Sequence, residues 1–62
     1  MTAAPPVRLL KITEVMHRTS LSRSAIYERI EKGEFPRQRK LGHKCSRWVE
    51  SEVDAWVNKV AE

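Results

Sequence analysis

Eleven consecutive residues, Arg37-Gln38-Arg39-Lys40-Leu41-Gly42-His43-Lys44-Cys45-Ser46-Arg47, carry five fixed positive charges, one histidine and no carboxylate. Side chains of this type in this density seek phosphate. On duplex DNA each phosphate neutralised releases condensed counterions, worth roughly 0.9 in the log–log salt slope. Such contacts position a protein on a backbone without reading sequence. Arg37, Arg39, Lys40, His43, Lys44 and Arg47 are therefore candidate backbone contacts. A second group, Ser22-Arg23-Ser24 and then Tyr27-Glu28, has the chemistry of base reading. Arginine forks onto guanine O6 and N7 and glutamate accepts from cytosine N4, each pair giving about 1–3 kcal/mol of discrimination. Tyr27 offers a hydroxyl to a phosphate or a ring to the sugar edge, and a helix start beside Ser22 would present free N–H groups to a phosphate.

Each residue also has an ordinary reading. A short charge run is often a solvated face. Glu28 lies four residues before Lys32, the spacing of an intrahelical ion pair. Tyr27 could be a half-buried packing residue, and Arg23 a solubilising one. Trp48 and Trp56 fall at packing positions, whereas a single-strand binder would expose such rings along a groove.

Base reading requires a helix, and the pattern supplies one. Ser22 is a cap for a helix over Arg23–Lys32, with Gly33 placed to end it in a left-handed conformation. At 100° per residue Ala25, Ile26 and Ile30 share an inward arc with Leu21, while Ser24, Tyr27 and Glu28 face out. Arg29 falls on the inner arc and must carry its head to solvent. A shorter helix precedes it, with Thr13 as cap and Glu14 in its first turn. Thr19-Ser20 makes the break. Arg8 to Ile12 reads as a short strand or extended entry. Phe35 anchors the turn after the second helix. Arg37–Leu41, Gly42-His43-Lys44 and Cys45–Val49 read as strand, turn, strand, with Gly42 offering the positive φ of a tight hairpin. Ser51-Glu52-Val53-Asp54 resembles a capping box, and Val53, Trp56, Val57 and Val60 recur at helical spacing. Two helices joined by a tight turn and followed by a basic hairpin make a helix-turn-helix with a wing.

The whole chain has 62 residues and a net charge of +4. That is room for one domain with a small core. Residues 1–47 carry +7 and residues 48–62 carry −3. One cysteine, Cys45, excludes an internal disulfide, and His17 and His43 lie too far apart in sequence to suggest a metal site. No nucleophile stands with a base and no phosphate loop is present, so neither an enzyme nor a cofactor is expected. Apolar runs of three residues or fewer exclude a membrane span. A cytoplasmic protein is the expectation, with residues 1–7 as a disordered arm and 8–62 as the folded domain.

Leu21-Ser22-Arg23-Ser24-Ala25-Ile26-Tyr27, Gly33-Glu34-Phe35-Pro36, Lys40-Leu41-Gly42, Trp48 and Ser51-Glu52-Val53-Asp54-Ala55-Trp56-Val57 together resemble the AlpA family of small phage-type regulators and excisionases. Ile12-Thr13-Glu14-Val15 fits as well, so the likeness runs from about Arg8 to Val60. Departures are Ser20 where a small turn residue, often glycine, is usual, Ala25 where threonine is usual, and Arg29 and Arg39 where apolar residues are usual. The resemblance implies a mostly α, winged helix-turn-helix fold with a small β-hairpin, related to the MerR-type DNA-binding domain. It implies double-stranded DNA as ligand, with the second helix in the major groove and the wing on the backbone or adjacent minor groove. Members are carried by prophages and genomic islands and act as excisionases, as transcription regulators, or as both. The excisionase role would place an integrase among the partners. The charge split adds the expectation that the acidic last helix meets the basic wing of a neighbouring copy, head to tail.

Overall fold

A computed structural model describes residues 7–61. The expected N-terminal arm lies outside these residues, apart from Val7, which is exposed. The order is β1 (Leu9–Leu10), α1 (Ile12–Thr19), α2 (Arg23–Glu31), β2 (Arg39–Gly42), β3 (Cys45–Val49) and α3 (Glu50–Ala61). Three helices and one small antiparallel sheet form a winged helix-turn-helix. The expected hairpin gains a third strand: β1 pairs with β3 through Leu9–Val49 and Leu10–Trp48, giving the order β1-β3-β2.

Leu10, Val15, Ile26, Trp48 and Val53 are completely buried, and Ile30 and Phe35 almost so. Every element but β2 thus gives at least one residue to a single core cluster. Ile26 and Ile30 give α2 its inner face, and Ala25 and Leu21 are half-buried beside them. Phe35 seats the turn after α2 and meets Trp56 edge-on, ring centroids 4.9 Å apart. Arg29 stays exposed, its guanidinium carbon 5.9 Å from the Trp56 ring centroid.

The turn between α1 and α2 closes by local hydrogen bonds. Ser20 is left-handed, φ 61°, and its N–H donates to the Met16 carbonyl at 2.8 Å. Thr19 Oγ1 donates to the Val15 carbonyl and accepts from the Leu21 N–H. Ser22 Oγ then accepts from the Ala25 N–H at 3.1 Å, the cap expected of it. At the other end of α2, Gly33 has φ 73°, its N–H reaches the Ile30 carbonyl and the Glu34 N–H reaches that of Arg29. That pair of hydrogen bonds is the Schellman closure, which a left-handed glycine permits without steric cost.

Four expectations are corrected. Thr13 does not cap α1: the helix starts two residues earlier, at Ile12 with Lys11 as its cap residue, and the Glu14 carboxylate accepts the Lys11 N–H at 3.3 Å. Ser51 does not cap α3, because β3 passes directly into the helix at Glu50 and the Glu50 N–H finds the Arg8 carbonyl at 2.8 Å. Val60 is 63% exposed, since the core lies against the earlier turns of α3 through Val53, Trp56 and Val57. Finally, Gly42 does not supply the positive φ of the hairpin. Gly42 pairs with Cys45, the turn is His43-Lys44, and Lys44 holds φ 60°. Pairing steps from Lys40–Ser46 to Gly42–Cys45, which leaves Leu41 bulged out and 57% exposed.

Candidate nucleic-acid interface

The outer face of α2 presents Arg23, Ser24, Tyr27 and Glu28, all exposed. Arg23 has no acidic partner among the described residues. The hydroxyl of Ser22 already accepts a hydrogen bond from the Ala25 N–H. Glu28 sits 3.1 Å from Lys32 Nζ, the ion pair its spacing allows, and both side chains are mostly solvated.

Tyr27 joins this face to the hairpin. Its ring meets Trp48 edge-on, with centroids 6.1 Å apart and planes at 65°. Trp48 lies near the root of the wing, in the central strand of the sheet. The outer face of α2 and the hairpin are therefore neighbours on one side of the molecule.

The hairpin does not present its bases as one group. Cross-strand partners share a face and successive residues alternate. Lys40 and Ser46 thus go with Trp48, whereas Arg39 and Arg47 share the opposite face. On that opposite face Arg39 donates to Glu52 Oε2 of α3 at 2.8 Å. Arg47 donates to the Ser46 carbonyl. Arg37 precedes β2 and is exposed; Lys40, His43 and Lys44 are exposed on the hairpin, with His43 and Lys44 at its tip. Arg37, Lys40 and Lys44 have no ion-pair partner among the described residues.

Sequence reasoning missed Lys11 and Thr13. The β1–β3 pairing brings the start of α1 against the hairpin across a cleft of about 310 Å³. Nothing in local spacing signals this, since the residues that face each other are more than thirty positions apart.

The acidic last helix is also changed by the structure. Arg18 bonds Asp54 at 3.0 Å and Glu50 at 2.7 Å, and Arg8 approaches Glu50 at 3.8 Å. Desolvation opposes the charge of Arg18, but the hydrogen bonds and fields of Asp54 and Glu50 outweigh it and raise its pKa. With Glu52 held by Arg39, each of the three carboxylates described on α3 has an arginine partner in the same chain. The expected docking of α3 on a neighbour's wing would have to break these pairs.

Among the described residues no cluster of histidine, cysteine, aspartate and glutamate is placed to hold a metal ion. No described helix is long and apolar enough to cross a membrane. Cys45 is a half-buried free thiol and His17 an exposed residue of α1.

Comparison with known proteins supplies the family. The model of the prophage CP4-57 regulatory protein (AlpA) family matches residues 8–61. A DNA-binding transcriptional activator, AlpA of Escherichia coli K12, is 32% identical over 59 residues, covering 86% of this chain and 84% of that protein. An uncharacterized protein, ORF88 of enterobacteria phage P4, is 58% identical over 50 residues. That match covers 81% of this chain and only 57% of the phage protein's length. No solved structure matches the chain.

Proposed function

The chain belongs to the AlpA family of prophage regulatory proteins, and from that premise we propose that it is a sequence-specific binder of double-stranded DNA acting as a phage-type regulator. The observation that carries this reading is the Tyr27–Trp48 contact, which sets the exposed face of α2 beside the unpaired bases of the hairpin. α2 enters the major groove with Arg23, Ser24, Tyr27 and Glu28 toward base edges and sugar. Arg37, Lys40, His43 and Lys44 reach the backbone.

Of the hairpin residues, Arg39 contributes least in this reading, because Glu52 holds it on the face turned from Tyr27. Glu28 contributes to reading only by giving up Lys32.

The finer role is that of an excisionase, which binds sites beside an integrase attachment site and bends the DNA toward excision. The alternative is a regulator on a promoter operator, favoured by the name of the E. coli relative. A footprint on the protein's own locus, with random duplex as competitor, separates them. Protection of several sites at the attachment region, with enhanced cleavage at a bend, supports the excisionase. Protection of one operator supports the regulator. No protection surviving the competitor sinks specific DNA binding altogether.

A further inference from the structure

The cleft between the start of α1 and the hairpin joins Tyr27, Lys44 and Arg47, already read from the sequence, to Lys11, Thr13 and Ser46, which belong to neither group of contacts. Lys11 and Thr13 line it on one side, Lys44, Ser46 and Arg47 on the other, and Trp48 also lines it. Three of these side chains are cationic, two carry hydroxyls, and no carboxylate lines the cleft. The volume, about 310 Å³, exceeds a phosphate group with some of its water.

Two further features address an anion. The Glu14 N–H donates to the Lys11 carbonyl at 3.0 Å, which leaves the Ile12 and Thr13 N–H groups without acceptors within the helix, at the positive end of its dipole. Trp48 is completely buried, and its indole N–H has no hydrogen-bond partner in the protein. A buried unpaired donor is costly, and it stands in a residue that lines a cationic cleft. The Glu14 carboxylate, the nearest acid on α1, is held by the Lys11 N–H.

We propose that this cleft seats one phosphate of the DNA backbone, gripped between Lys11 and Thr13 of the α1 end and Lys44 and Ser46 of the wing, with Arg47 at its edge. The proposal rests on the DNA-binding reading and adds to it a clamp that α2 and the wing tip alone do not make. The seat fixes how far α2 turns in the groove, because Tyr27 of α2 lines the same cleft.

The test has two arms. In the first, the ¹⁵N-labelled chain is titrated with inorganic phosphate against chloride at equal ionic strength. Phosphate should move the Ile12 and Thr13 amides and the Trp48 indole N–H saturably, and Lys11→Gln with Lys44→Gln should abolish the effect. Both lysines are exposed, so the double variant should fold, which a thermal melt checks; Thr13→Ala, which keeps the charges, should weaken the effect alone. Shifts reproduced by chloride, or centred on Arg23 and Arg37, overturn the seat.

In the second arm, single methylphosphonate linkages scan the target duplex. One linkage should weaken the wild-type protein about tenfold and leave Lys11→Gln almost unaffected. Duplex binding in which the two proteins respond alike overturns the seat and leaves the DNA reading standing. Phosphate binding in the cleft without any duplex binding overturns the DNA reading and the backbone assignment, and keeps only an anion site.

Discussion

Tyr27 meets Trp48 edge to face at 6.1 Å, so the exposed helix that would read DNA is braced against the most buried ring of the core. Tyr27 itself is 37% exposed, and its two sides therefore belong to stability and to recognition. Removing the ring and removing the hydroxyl should separate these roles. Tyr27→Ala loses an aromatic contact worth about 0.5–1.5 kcal/mol. In a domain of this size that lowers the melting temperature by roughly 4–8 °C per kcal/mol. Tyr27→Phe should melt within a degree or two of wild type, yet bind the target duplex several-fold more weakly. Equal affinity for Tyr27→Phe and wild type would confine Tyr27 to packing.

Arg23 and Lys40 should fail in different ways. Arg23→Ala removes a base contact, costing about 1–3 kcal/mol on the specific site and little on random duplex. Lys40→Ala removes a backbone contact. It should weaken both duplexes alike and lower the salt slope by roughly one. Binding isotherms at several salt concentrations check this, and identical behaviour of the two variants would refute the division between reader and positioner.

Glu52 should act as a restraint on the wing. It holds Arg39 at 2.8 Å, and both side chains are well solvated. Glu52→Gln removes one negative charge and frees that arginine, so affinity for any duplex should rise several-fold at low salt and less at high salt. Thermal stability should hardly change, as for other exposed pairs. A loss of affinity would mean that Arg39 works only when Glu52 orients it.

Ser20 should be improvable. A left-handed conformation costs an L-residue roughly 1–2 kcal/mol, of which glycine's extra freedom in the unfolded chain returns about half. Ser20→Gly should therefore raise the melting temperature by several degrees and leave DNA affinity unchanged, since Ser20 is exposed and belongs to neither contact group. A lowered melting temperature would show that the serine side chain supports the turn.

The sequence is legible where the cause is local. Ser22 capped its helix and Gly33 closed it, because each acts within a few residues of itself. The inner face of α2 followed from helical spacing alone, and Ile26 and Ile30 are where that spacing put them. The failures share a different cause. Ser51 was a plausible cap until the Arg8 carbonyl, far away in sequence, satisfied the helix start. Gly42 was the natural residue for positive φ, but the bulge at Leu41 moved the turn forward and left Lys44 to adopt it. Five bases within eleven residues suggest one cationic surface, whereas the pleat divides them and Glu52 claims one. Lys11 entered the cleft through a strand pairing that no local pattern announces.

The central position of β3 has a thermodynamic consequence. Its residues are paired on one side by β1 and on the other by β2, and it runs straight into α3. Such a strand leaves the wing little freedom to surrender on contact with a ligand. Association should then show only a modest negative heat-capacity change, without the large signature of a segment that folds as it binds. Amide protons of Arg47 to Val49 should be among the slowest to exchange, before and after the ligand arrives.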